Sequence, residues 1–119
     1  MLETFNVDNW VTQLRRGLIE LCILNMLANE ELYGYDLVKR LIEIPGLGIA
    51  EGSIYPLLSR MRKMGLLQAR LEESPQGPAR KYYSLTAEGL RCWRMMNNHW
   101  DTLSGGIQRL RQPMKEGEA

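Results

Sequence analysis

The 119-residue chain is poor in the side chains that hold metals: its two cysteines, Cys22 and Cys92, stand far apart with no CxxC pair, and His99 is the only histidine. That spacing excludes an ordinary zinc site and argues against a structural disulfide, so both cysteines are expected as small core residues and His99 as structural. Long apolar runs are missing too. The longest, Leu18 to Ala28, is interrupted by Glu20 and Asn25, and reaches only half the roughly 20 residues that span a bilayer. With no basic-then-apolar leader at the start, a cytoplasmic protein without a membrane partner is expected. A nucleophile with a matched base, paired loop carboxylates and a glycine-rich phosphate cradle are all lacking. No enzyme, metal or cofactor is therefore expected.

Net charge is nearly absent at +1, and as an average it argues against a polyanionic partner, but the average hides the distribution. Residues 1–50 carry −3, residues 51–85 carry +3 and residues 86–119 carry +1. The excess sits in the middle third, on Arg60, Arg62, Lys63, Arg70, Arg80 and Lys81. What remains of the composition, 45% hydrophobic and 24% charged residues, is that of one globular domain.

The pattern predicts helices and one hairpin. Asp8 is placed to cap a first helix whose apolar positions Trp10, Leu14, Leu18, Leu21 and Cys22 recur at helical spacing. From Leu18 onward the helix is apolar on nearly every side, as in a central core element. Gly34 opens a second helix, stopped by the Pro45-Gly46-Leu47-Gly48 turn. Pro56 has no N–H and is tolerated in a first helical turn, so a third helix is expected from Gly52 or Ser53, with Gly65 as its terminator. Its inward stripe is Ile54, Leu57, Leu58, Met61 and Met64. Alternation over Leu67–Glu72 and Tyr82–Leu85 predicts two strands, and the Pro-rich segment between them a tip longer than a two-residue turn. Thr86 caps a fourth helix with a seam of Leu90, Trp93, Asn97, Trp100, Ser104 and Ile107. Gly105-Gly106 is a point for a kink or early end.

This order, three helices, a hairpin and a further helix, predicts a mostly α, α+β fold: a winged helix-turn-helix with an added C-terminal helix. Residues 1–86 would form the winged domain, 87–112 a dimerisation helix and 113–119 a frayed tail. In such a fold the third helix reads bases through its N-terminal half, which places Ser53, Tyr55, Ser59 and Arg60 at base edges. The outward N–H groups at Gly52 and Ser53 suit a phosphate. Arg62, Lys63, Arg80 and Lys81 would neutralise backbone charge, and Tyr35 and Tyr82 stand as further contacts. A winged helix can instead dock on a protein.

Four stretches carry a family resemblance: Leu18–Leu27 followed by Tyr33-Gly34-Tyr35-Asp36-Leu37, then Gly52-Ser53-Ile54-Tyr55-Pro56-Leu57-Leu58, Met64-Gly65-Leu66-Leu67, and Pro78–Gly89. Together they resemble the PadR-like family of bacterial transcriptional regulators, in its small subfamily with a single C-terminal helix. The chain departs from the commonest pattern at Ala79 and Glu51. The resemblance implies a homodimer on a roughly palindromic operator in double-stranded DNA, with the third helix in the major groove. The apolar seam from Leu90 to Ile107 exceeds what a small winged domain can cover, so Leu90, Trp93, Asn97, Trp100, Leu103 and Ile107 are expected at the dimer interface, with the first helix contributing. In drug-sensing members a tryptophan of this helix stacks planar compounds, which points to Trp93 and Trp100 as sites for a planar aromatic effector.

Overall fold

The computed structural model describes residues 4–111 and 113. Their elements run α1 (Val7–Arg15), α2 (Leu18–Leu27), β1 (Leu32–Tyr33), α3 (Gly34–Ile42), α4 (Glu51–Lys63), β2 (Leu67–Ser74), β3 (Gly77–Leu85) and α5 (Ala87–Leu110). This is the predicted winged arrangement with a long closing helix.

The expected first helix is two helices. Its cap is Asn6, not Asp8: the Asn6 side chain accepts from the Asn9 amide at 3.1 Å. Gly17, at φ +81, separates α1 from α2. That left-handed conformation is cheap only for glycine, so continuous apolar periodicity hides a real break. α2 is the core post, burying Leu21, Ile23, Leu24 and Leu27. Against it pack Leu37, Val38 and Leu41 of α3 and Ile54, Leu58 and Met61 of α4. Met64, expected inward, is exposed, because α4 ends at Lys63 and the chain turns away at Gly65, where φ is +79.

The sheet has three antiparallel strands in the order β1-β3-β2. β1 was not foreseen: two residues, Leu32 opposite Tyr83 and Tyr33 opposite Tyr82, are too few to show a period of two. The wing is tighter than its prolines suggest. Ser74 pairs with Gly77, so only Pro75 and Gln76 turn the chain, Pro75 bringing the φ a turn needs. Between the Glu72–Arg80 and Ser74–Gly77 pairs the register shifts, leaving Pro78 and Ala79 opposite Glu73. A bulge is where a strand tolerates a residue without an N–H.

α5 starts at Thr86, whose hydroxyl donates to the Gly65 carbonyl at 2.6 Å and accepts from the Gly89 amide at 2.9 Å. It then runs for 24 residues across Gly105-Gly106, so the helix does not end early there. Gly89 is buried against the Leu66 backbone, and a Cβ there would lie 2.0 Å from the Leu66 carbonyl oxygen. The far half of α5 projects beyond the winged domain. The radius of gyration is 18.4 Å, against about 13.5 Å for a compact chain of this length. Of the expected frayed tail, 113–119, all but Pro113 lies outside the described residues. Cys22 and Cys92 are free thiols, half-buried, and burial pushes the Cys22 thiol up.

Candidate nucleic-acid interface

α4 is the third helix of the sequence reading, and it starts at Glu51 with Ala50 as its cap residue, without a side-chain cap bond. Pro56 is therefore its sixth residue, one or two residues deeper than expected, and the Gly52 carbonyl lacks the amide that would ordinarily close on it. Of the two amides expected to be free, that of Ser53 donates to the Ala50 carbonyl at 3.0 Å. The Gly52 position is open, with nothing within 4 Å of where a Cβ would stand.

Burial fixes the phase of the helix. At about 100° per residue, the buried Ile54, Leu58 and Met61 point one way, and Gly52, Pro56, Ser59 and Lys63 occupy the opposite crest. Tyr55 and Arg62 flank the crest on the side of the sheet. Tyr55 is close enough to Tyr33 and Tyr35 to feel their charge, and its phenol is raised chiefly by burial, then by Glu51 and those two rings. Arg62 in turn opposes the rise that burial gives the Tyr83 phenol. Ser59, Arg62 and Lys63 line a cleft of about 400 Å³ against Leu67, Gln68 and Ala69 of β2. Ser53 and Arg60 flank the crest on the other side, toward α2.

The basic residues divide into two groups. Arg60 donates to Glu20 of α2 at 2.9 Å, and Arg40 pairs with Glu30 at 2.8 Å. Arg70 reaches Glu31 through Nε at 2.9 Å and Glu72 at 3.3 Å, while its guanidinium lies 4.8 Å over the Tyr82 ring. Arg70 thus braces β2 to the segment before β1, and its hydrogen bond holds the Glu31 carboxyl below the usual carboxylate range. Among the described residues, Arg62, Lys63, Arg80 and Lys81 make no ion pair. Arg80 lies 5.0 Å over the Tyr33 ring, which steadies an exposed cation without consuming its charge. Tyr35 is exposed on α3, and Tyr82 is half-buried under Arg70.

The residues expected on a dimer seam fall into two halves. Leu90, Trp93 and Asn97 are half-buried on the protomer itself. The Asn25 side-chain oxygen of α2 accepts from Trp93 Nε1 at 2.7 Å and from Asn97 Nδ2 at 2.9 Å. In the sequence Asn25 reads only as an interruption of an apolar run; it is exposed, and its partners on α5 lie some seventy residues away, out of reach of any local pattern. Beyond that point Trp100 is 39% exposed, Leu103 61%, Ile107 50% and Leu110 82%. Phe5, Val7, Trp10 and Leu14 on and before α1 are exposed as well. Trp100 lines an apolar groove of about 540 Å³ between α1, α2, the α3–α4 loop and α5. Arg15 borders that groove and donates to the Gly46 carbonyl at 3.0 Å.

Among the described residues there is no cluster of three or more potential metal ligands, and no helix is long and apolar enough to cross a membrane.

Comparison with known proteins agrees with this geometry. Residues 23–94 match the model of the transcriptional regulator PadR-like family. A PadR-like transcriptional regulator from Bacillus cereus is 39% identical, with 86% of this chain and 99% of that one covered and a TM-score of 0.76. A Streptococcus transcriptional regulator is 38% identical over 84% of this chain and 98% of its own, at a TM-score of 0.74. A PadR family regulator from Eggerthella lenta is also 38% identical, covering 87% and 90%, at 0.74. With the family model spanning more than half of the sequence and the winged fold and closing helix in place, the chain belongs to the PadR-like family of transcriptional regulators.

Proposed function

We propose that this chain is a repressor that binds a palindromic operator as a homodimer and is released by a small planar aromatic effector. The family is one of DNA-binding transcription regulators, not enzymes; the finer statement is ours. The observation that carries it is the state of the cations. Arg62, Lys63, Arg80 and Lys81 are exposed and unpaired among the described residues, whereas the other two cations of the basic middle third, Arg60 and Arg70, are paired within the protomer. Residues 1–86 then hold the DNA, with Gly52, Ser53, Tyr55 and Ser59 toward base edges and Tyr35 and Tyr82 near the backbone. Arg60 and Arg70 serve as braces. Residues 87–112 dimerise: Trp100, Leu103, Ile107 and Leu110, with Phe5, Val7, Trp10 and Leu14 on and before α1, stand exposed, as apolar side chains do at a protein–protein interface.

Of the two tryptophans, Trp93 is engaged by Asn25, so Trp100, open to its groove, is the better placed to stack a flat guest. An effector acts only if it favours the DNA-incompetent arrangement of the two wings.

The test is purified protein titrated on genomic fragments at several salt concentrations. A steep fall of affinity with salt is expected, with Arg80→Ala and Lys81→Ala each lowering the slope by about one. Ser53→Ala and Tyr55→Ala should instead change the preference among operator variants. Salt-independent binding, or four variants that bind like the parent, would refute the assignment and favour a protein-docking role.

A further inference from the structure

We propose that Pro56 is a specificity-determining residue that reads the C5-methyl group of a pyrimidine in each operator half-site. The inference rests on the DNA-binding reading above and deepens it. Pro56 is exposed and stands near the middle of the outward crest of α4, between Gly52 and Ser59 and opposite Ile54, Leu58 and Met61. Of the four crest residues it alone presents a rigid carbon surface. Gly52 presents none, Ser59 a hydroxyl and Lys63 an ammonium.

Two features argue that the ring is there for a partner. A proline at the sixth helical position deprives the Gly52 carbonyl of its amide donor, and helix interiors select strongly against this. Core packing does not offset the loss, because the ring lies at the surface and is absent from the core cluster. The second feature concerns the floor of the major groove. Its base edges are hydrogen-bonding groups except for one carbon substituent, the methyl at C5 of thymine. A hydrogen-bonding edge set against a proline ring would be stripped of water with no partner in return. A methyl group gains from the same contact, and the ring has almost no freedom to lose on binding. With Gly52 leaving open space one turn earlier, the crest can approach the base closely at the Pro56 position. A methyl at C5 comes from thymine or from 5-methylcytosine, and the chemistry is the same.

The experiment uses the full chain and the duplex it selects from a random pool. Each thymine is replaced in turn by deoxyuridine, which removes only the methyl; separately, each cytosine is replaced by 5-methyl-deoxycytidine. At one thymine per half-site the methyl loss should weaken binding about fourfold, the factor for exposing one methyl-sized group. Replacing the symmetry-related pair together should weaken it by about sixteenfold. If the half-sites carry cytosine there, methylation should strengthen binding by the same factors. Pro56→Ala should erase the sensitivity at that position alone. Alanine restores the amide to Gly52, so this variant should melt no lower than the parent, and a loss of methyl sensitivity cannot then be a loss of fold. Methyl-blind binding overturns the proposal, as does sensitivity that survives undiminished in Pro56→Ala. Failure to select any duplex, with affinity indifferent to salt, overturns it together with the DNA-binding reading.

Discussion

Gly89→Ala sets two rules against each other on one helix. Helix propensity alone makes the change favourable by about 1 kcal/mol. The structure reverses the sign. A methyl at Gly89 would lie 2.0 Å from the Leu66 carbonyl oxygen, and the obstacle is backbone that no rotamer change can clear. The first turn of α5 must move off by more than an ångström. That movement strains three hydrogen bonds to the backbone it moves from: Thr86 N–H to Leu66 O at 3.1 Å, and the Thr86 hydroxyl to Gly65 O at 2.6 Å and to Leu66 O at 3.2 Å. At about 1 kcal/mol each, less the propensity gain, the net destabilisation is about 2 kcal/mol. For a chain of this size that lowers the melting temperature by roughly 8 °C. Gly105→Ala is the internal control, since a Cβ there meets nothing within 4 Å and the propensity gain should stand, raising the melting temperature by a few degrees. Thermal unfolding followed by circular dichroism at one fixed protein concentration measures both. An unchanged or raised melting temperature for Gly89→Ala would refute the argument that the α5 root is wedged on Leu66.

Asn25→Ala removes the acceptor of Trp93 Nε1 and one of the two acceptors of the Asn97 amide, which keeps the Trp93 carbonyl; it should cost about 0.5–1.5 kcal/mol, with a shift of tryptophan emission, and urea unfolding with unchanged midpoint and spectrum would refute the role of Asn25. Because the folded Glu31 carboxyl is held below its unfolded value by Arg70, its contribution is complete above the ordinary carboxylate range and fades as pH falls through the lowered value. Hydrogen exchange of the β2 amides should therefore accelerate only at pH below that range, and Arg70→Met should abolish this acid dependence; superimposable pH profiles would exclude the brace. Trp100→Ala combined with Leu103→Ala should dissociate the proposed dimer and lower stability together, checked by sedimentation and melting on the same samples.

The sequence made the element types legible because they are written in local periodicity. Ile54, Leu58 and Met61 mark the inner face of α4 at helical spacing, and Thr86 before the Leu90–Ile107 pattern marks the start of α5. What escaped depends on contacts across the chain. β1 exists because Leu32 and Tyr33 find Tyr83 and Tyr82 some fifty residues later. Arg60, expected at base edges, also reaches Glu20 on another helix at 2.9 Å, a partner that no local pattern shows. Arg70 looks available until Glu31 is folded against it. The wing tip was misjudged for a different reason: composition registers two prolines but not the bulge that accommodates the second. For the interface, residue types and their helix were readable, but which cations stay unpaired was a tertiary question.

The double acceptance at Asn25 also makes α5 a lever with a defined pivot. The helix is about 36 Å long, and Trp93 and Asn97 are pinned to α2 within its first half. From that pivot to Leu110 is about 22 Å, so a rotation of about 5° would carry the far end through roughly 2 Å, and two such arms together through roughly 4 Å, close to the ~3.4 Å rise of one base pair. In a two-fold assembly both arms turn together, so half-site spacing would be tuned to a single base pair by one side-chain amide far from any base.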